Sequence, residues 1–360
     1  MQTNRTIPIE ITQETSRRMA VMSFVCACMI VMIHCTPHPD CGTWQWWVAN
    51  LLGANGLCRI AVPWFFVASG FFLAGRAGEP SWYSNAVRKR VRTLLVPFAI
   101  WAIIGLLFHW LMWYGIQKTG YVCGVQNPMA NGMLPGVISA LGFNPSKINI
   151  GPIWYLRMLF VLALVSPLIC STTSRFRSAV PFVLLIGYGV YDAFVHFSDF
   201  WEYVISLRGI AYFSVGVALR FGIFSGILGV ARRFQPLTFI LAAVSLLVNI
   251  VARYYGVTLL ENLSDFVMVP LLMGLVWRSL TSVRLPVWCT TNAFALYVMH
   301  GTFLFISIAV IVACRLRSMM EGSVALAFMR WVFAIGASLI FAQAIKKLCP
   351  GTARILFGGR

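Results

Sequence analysis

Apolar residues in this chain fall in long unbroken blocks, not in the one-face or alternating patterns of a soluble fold. Ten blocks reach roughly 17 to 25 residues, the length at which a helix crosses a hydrocarbon core. They lie at 19–35, 56–75, 94–115, 153–171, 179–196, 209–225, 236–253, 264–280, 292–314 and 325–345, with polar or Pro/Gly breaks between them. The pattern predicts an all-α fold: a polytopic transmembrane helical bundle of about ten membrane-spanning helices. A polar N-terminal tail (1–18), a transmembrane domain (19–348) and a short C-terminal tail (349–360) complete the organisation. No fixed-period repeat is visible, which disfavours inverted-repeat transporter folds.

Composition fits a chain that lives in lipid. Of 360 residues 59% are hydrophobic and 11% charged, whereas soluble domains carry about 25% charged residues. The net charge of +18 would by itself suit a nucleic-acid binder. Its distribution argues otherwise. With ten crossings, 19 of the 28 Lys and Arg fall on one side, including Arg17, Arg18, the Arg88–Arg92 cluster, Arg175, Arg177, Lys346 and Lys347. Most acids fall on the other side, an asymmetry that by the positive-inside rule puts both termini in the cytoplasm. Trp44, Trp46, Trp47 and Trp201 on the outer side suit an interfacial aromatic belt.

The first block follows basic residues as a secretory signal would. No small-x-small cleavage site follows it and further spans do, so it reads as a retained helix. Of ten cysteines, Cys26, Cys28, Cys170, Cys289 and Cys314 sit in or near apolar runs as small hydrophobes. Cys35, Cys41, Cys58 and Cys123 fall on the outer side, where a disulfide is permitted but not demanded. Two connections are long: 76–93, basic and cytoplasmic, and 116–152, outer and rich in Gly and Pro. Loops of the second kind tend to be functional or mobile, and an acceptor site is expected beneath it.

Polar groups inside apolar runs carry the candidate chemistry, because an ionisable side chain at membrane depth costs several kcal/mol. His34 lies sixteen residues after Arg18, about 24 Å along a continuous helix, in the outer half of the membrane. An imidazole there can serve as a general base on a hydroxyl, or it can cap the end of the first helix before Pro37. The segment from Arg59 to Gly75 opens with a charge, bends at Pro63 and holds Ser69 and Gly70 in its interior. Trp154 and Arg157 are three apart and share a helix face, where guanidinium and indole together suit a phosphate or carbonyl oxygen; a snorkelling Arg beside a belt Trp is the plainer reading. His300 interrupts an otherwise apolar helix, and burial against a neighbouring helix would equally explain it. Arg88 and Arg90 belong to a basic stretch that suits anionic lipid or a polyanionic nucleotide donor. His34 to Cys41 contains metal-ligand residue types, but Pro37 and Pro39 break the helical face a ligand pair needs, and no metal site is expected.

Five of these features occur in the order found in the integral membrane acyltransferase 3 family, which the chain resembles. They are Val31–His34, Arg59–Gly70, Arg88–Arg92 leading to Pro97 and Trp101, Gly151–Arg157 with Ser166-Pro167 beyond, and Leu296–His300. The resemblance implies an O-acyltransferase, commonly an O-acetyltransferase, in a bacterial inner membrane. It implies acyl-CoA, foremost acetyl-CoA, as cytoplasmic donor substrate with no bound cofactor, and a cell-envelope carbohydrate or lipid-linked sugar as acceptor on the outer side. His34 would then act as general base, Arg59 and Arg157 would position the donor or polarise its thioester, and Ser69, Gly70, Trp154, His300, Arg88 and Arg90 would contact substrate. A covalent acyl-enzyme through Ser69 has no visible paired base. The family pattern also has a basic residue eleven positions before the histidine, where this chain has Ser23. A carrier or flippase for an amphiphilic anion and a degenerate, non-catalytic relative are the alternative readings.

Overall fold

A computed structural model of the chain describes residues 8–36, 40–77, 79, 81–118, 127–141, 154–194, 206–226, 233–313 and 323–359. His38 with its flanking prolines, Cys123, His196, Trp201, Gly151–Ile153 and most of the 116–152 connection lie outside the described residues. Every described element is helical. In chain order they are α1 Gln13–Cys35, α2 Trp44–Leu52, a 3-10 turn Leu57–Ile60, α3 Ala61–Ala74, α4 Trp82–Arg90, a π turn Val91–Leu95 and α5 Val96–Lys118. There follow α6 Met133–Ala140, α7 Trp154–Phe176, α8 Ala179–Phe194, α9 Leu207–Arg220 and α10 Gln235–Tyr254. The chain continues through α11 Thr258–Ser279, α12 Val287–Thr291, α13 Ala293–Ala313, α14 Val324–Leu348 and α15 Pro350–Leu356.

All ten apolar runs fall on helices. Among the described residues, seven helical stretches are long and apolar enough to cross a membrane, one of them, Trp44–Ala74, running through α2, the 3-10 turn and α3. The runs at 179–196, 209–225 and 292–314 fall on α8, α9 and α13, outside those seven. The chain is thus an all-helical, multi-pass membrane protein. Its boundaries reach further than the hydrophobic pattern does. Helix α1 starts inside the expected tail, where the Thr12 side chain caps it by accepting the Thr15 amide at 3.1 Å. The expected C-terminal tail forms α15 and packs on α5, with the Trp101 indole donating to the Leu356 carbonyl at 3.0 Å and Phe357 buried beneath that ring.

Helix packing in lipid gains nothing from burying apolar surface, so close van der Waals contact and polar links decide which helices meet. Of the seven long stretches, the one that ends with α3 is the most enclosed: 61% of its apolar window is buried, against 22% for α10 and α14. The principal partner of α3 is α9. A Cβ on Gly70 would lie 2.1 Å from the Phe213 carbonyl oxygen, and one on Gly216 would lie 2.0 Å from that of Val67. Two backbones therefore touch where neither residue has a side chain. Helices α10 and α11 form a second pair, pinned by the Asn249 amide, which donates to the Glu261 carbonyl at 2.9 Å and to the Ser264 hydroxyl at 3.2 Å. Helix α1 runs between α3, α13 and α14.

The bundle has two rims. At one, Arg17 donates to the carbonyls of Thr281 and Val283, Arg278 to Gln235 and Lys346 to Thr291. At the other, Trp46 and Trp47 pack against Tyr254, with ring centroids 5.7 and 5.6 Å away. The first is called the basic rim and the second the aromatic rim. Cys35, Cys41 and Cys58, near the aromatic rim, are free thiols.

Substituting Val at Gly216 or Gly70 forces the α3 and α9 backbones apart. A loss of more than about 2 kcal/mol is expected, beyond ordinary overpacking because the clash is with backbone. Thermal unfolding of detergent-purified protein measures it; an unchanged transition temperature would contradict the contact.

Candidate active site

The Arg59 side chain enters the bundle from the 3-10 turn that precedes α3. A cation at a helix N-terminus meets the positive end of the helix dipole, and at membrane depth it is also poorly solvated. Asp265, five residues before Pro270 in α11, answers both costs. The Arg59 Nε donates to its Oδ1 and Oδ2, each at 3.0 Å, and the carboxylate is 7% exposed. Since Asp265 takes Nε alone, the two terminal nitrogens keep their donors for the space in front of them. Arg208, in the first turn of α9, donates to the Arg59 carbonyl at 3.5 Å.

That space is a cavity of about 220 Å³ lined by His34, Arg59, Val62, Trp154, Arg208 and Tyr297, among others. His34 reaches it from the last turn of α1. Capping of that turn falls to Thr36, whose amide and hydroxyl both donate to the Met32 carbonyl, so the histidine is spared for other contacts. Behind His34 lies His300, fully buried, with the two imidazole centroids 5.4 Å apart. His300 Nδ1 lies 2.6 Å from the Tyr297 carbonyl, which can only accept, so Nδ1 carries the proton and Nε2 is left with its lone pair.

A second cavity, of about 470 Å³, lies toward the basic rim. Ser16, Ser23, Ser69, Arg90 and Thr291 supply polar groups to its wall, and Ala68, Leu94 and Phe294 apolar ones. Ser23 is held there by its own hydroxyl, which donates to the Met19 carbonyl at 2.8 Å and accepts the Trp64 indole at 3.3 Å. Arg18 stacks 4.4 Å from the Trp277 ring centroid and does not line this cavity. The cation on the wall is Arg90.

The residues singled out from sequence therefore divide. His34, Arg59 and Trp154 share the first cavity, Ser69 and Arg90 the second. His300 stands behind His34 without lining either. Arg157 sits one turn along α7 from Trp154, off both walls, donating to the Leu141 carbonyl just past α6 at 3.3 Å. Gly70 lines neither cavity, and the close approach it allows is to α9. Arg88 is exposed on α4. Asp265 and Arg208 were missed. Each had a signal: a lone acid inside the run 264–280, and a cation one residue before the run 209–225.

A family model for an acyltransferase domain matches residues 20–347. The chain belongs to that family. Among curated proteins, this acyltransferase-family chain is similar to the succinoglycan biosynthesis protein ExoH of Rhizobium meliloti (strain 1021). The two are 28% identical over 187 residues, which cover 49% of this chain and 47% of the relative. The chain thus spans about half the length of the curated relative it matches. No solved structure matches it.

Asp265→Ala would leave a guanidinium at membrane depth without its carboxylate. The folded state should lose about 3 kcal/mol, the lower end for a broken buried pair. Replacing both partners, Arg59→Met with Asp265→Leu, should recover most of that stability while leaving the cavity without its cation. Unfolding temperatures of the three proteins in one detergent test this, and an Asp265→Ala protein as stable as the parent would refute it.

Proposed function

We propose that the chain is a membrane O-acyltransferase. It would carry an acyl group, acetyl foremost, from acyl-CoA at the cytoplasmic basic rim to a hydroxyl of an envelope carbohydrate or lipid-linked sugar approaching from the aromatic rim. The relative's name, a succinoglycan biosynthesis protein, favours a polysaccharide acceptor. The observation that carries the reading is His34 and Arg59 on one cavity wall, a base and a cation facing a shared space inside a membrane bundle.

In this mechanism the acceptor hydroxyl oxygen attacks the thioester carbonyl carbon. His34 takes the hydroxyl proton, the C–O bond forms and the carbonyl oxygen gains negative charge. Arg59 and Arg208 lie on the same wall to stabilise that charge, where the surrounding low dielectric makes preorganised donors most effective. The C–S bond then breaks, and the departing thiolate recovers the proton from the imidazolium as the free thiol of CoA. Trp154 packs against the reacting groups. Arg90 and Ser69 hold the donor in the second cavity, with the exposed Arg88 adding charge at the rim, where a polyanionic nucleotide is favoured. Arg157 acts through α7, holding the helix that presents Trp154. The basic rim is cytoplasmic in this reading, which places both termini there and the protein in a bacterial inner membrane.

His34→Ala should lower transfer by roughly two orders of magnitude or more, the usual worth of a general base, with membrane insertion and unfolding temperature retained. The assay uses proteoliposomes, radiolabelled acetyl-CoA and a glycan acceptor, and reads label covalently attached to the acceptor. Full activity in the variant removes His34 from the mechanism. Transport of label without attachment favours a carrier.

A further inference from the structure

The two cavities share three lining residues, and all three are aromatic: Phe65 of α3, Tyr155 of α7 and Tyr297 of α13. Their rings form a closed triangle. Centroids lie 5.9 Å apart for Phe65 and Tyr155, 6.3 Å for Phe65 and Tyr297, and 5.8 Å for Tyr155 and Tyr297. Each pair is at ordinary aromatic contact distance, so the triangle is a septum between the chambers. Tyr155 and Tyr297 are nearly fully buried, at 6% and 4% exposed. Tyr155 is also wedged edge-on against Phe66 at 4.8 Å, and the Tyr297 backbone accepts from His300. Phe65 is the least enclosed of the three.

Resting on the acyltransferase reading above, we infer that this triangle is the passage for the acyl-bearing arm, that Phe65 is its moving leaf, and that Phe65 sets which acyl group reaches His34. Transfer requires the thioester carbonyl and His34 in one chamber. A hydrated sugar is too broad and too polar to pass among three rings, whereas a thioester on a slender chain needs only one of them to swing aside. The donor arm therefore crosses and the acceptor stays. With the leaf closed, water in the basic-rim cavity has no path to His34, and a short unbranched acyl group fits the gap better than a long or branched one.

The test uses full-length protein in proteoliposomes and has two independent arms. In the first, Ser69→Cys is treated from either side with a small membrane-impermeant methanethiosulfonate, and each cysteine is read by peptide mass spectrometry. Modification is expected from the basic-rim side alone with Phe65 present and from both sides with Phe65→Ala. Modification from both sides with Phe65 present, or from one side in Phe65→Ala, overturns the septum, and this arm needs no donor. The second arm measures transfer from acetyl- and hexanoyl-CoA. Phe65→Ala should raise the hexanoyl to acetyl ratio by roughly tenfold, the scale on which an apolar pocket discriminates chain length. It should also raise acceptor-free hydrolysis, in which water replaces the hydroxyl and free acid and thiol leave. Phe65→Trp, which keeps an aromatic ring should the alanine variant fold poorly, should slow acetyl transfer with acceptor KM unchanged. Variants matching the parent in both ratio and hydrolysis overturn the gate alone. No transfer by the parent overturns the acyltransferase reading itself.

Discussion

The bond between Arg59 and Asp265 is the constraint on which the arrangement turns. A lone guanidinium at membrane depth costs about 2.5–3.5 kcal/mol on insertion scales, and the start of α3 adds an unfavourable dipole. Asp265 removes most of that cost without consuming the cation, because it engages only Nε. The pair also joins two helical units. Helix α11 is bound to α10 through Asn249, and α3 to α9 through glycine contact. The ion pair therefore links the two units beside the cavity, whose wall is drawn from α1, α3, α7, α9 and α13.

Charge along the membrane normal follows the same logic. The His34 chamber holds Arg59 and Arg208 on its wall with one carboxylate behind them, so the space in front is electropositive. In the transfer proposed above, an oxyanion developing there would meet cations already in place and would need little reorganisation. The tilted rings of His34 and His300 lie 5.4 Å apart, a distance at which a positive charge on one opposes charge on the other. His300 gives its Nδ1 proton to the Tyr297 carbonyl of its own helix, and it is His34, not His300, that lines the chamber.

How far the sequence could be read depends on what a linear pattern encodes. Position within an apolar run gives depth, so His34 and Arg59 stand out as costly exceptions, and the structure brings both to one cavity with Trp154. Azimuth around a helix is set by packing partners that the pattern does not name. Hence Arg157, at a depth close to Trp154, reaches the Leu141 carbonyl and lines neither cavity, and Gly70 turns to α9. Asp265 was as conspicuous an exception as Arg59, yet its meaning came only from the pairing of α11 with the turn before α3, 206 positions apart in the chain. Helices α2, α4 and α15 were also illegible as membrane elements, because each is short and lies at a rim, where propensity and local contacts outweigh hydrophobic length.

A protein that brings a donor from one compartment to an acceptor in another has a conflict to resolve. A continuous pore would let the substrates meet but would also leak water and ions, while a solid bundle would keep them apart. In the arrangement proposed above, two chambers that share a single layer of rings would meet both demands, because a barrier one side chain thick could be parted without moving a helix. Rotation of an aromatic ring is faster than the μs–ms rocking that alternating-access carriers require. The close α3–α9 contact at Gly70 and Gly216, one turn and more below Phe65, holds the backbone on which that ring would turn. In the proposed gate the two parts are complementary: the glycine crossing would keep the scaffold fixed so that only the half-buried Phe65 ring need move.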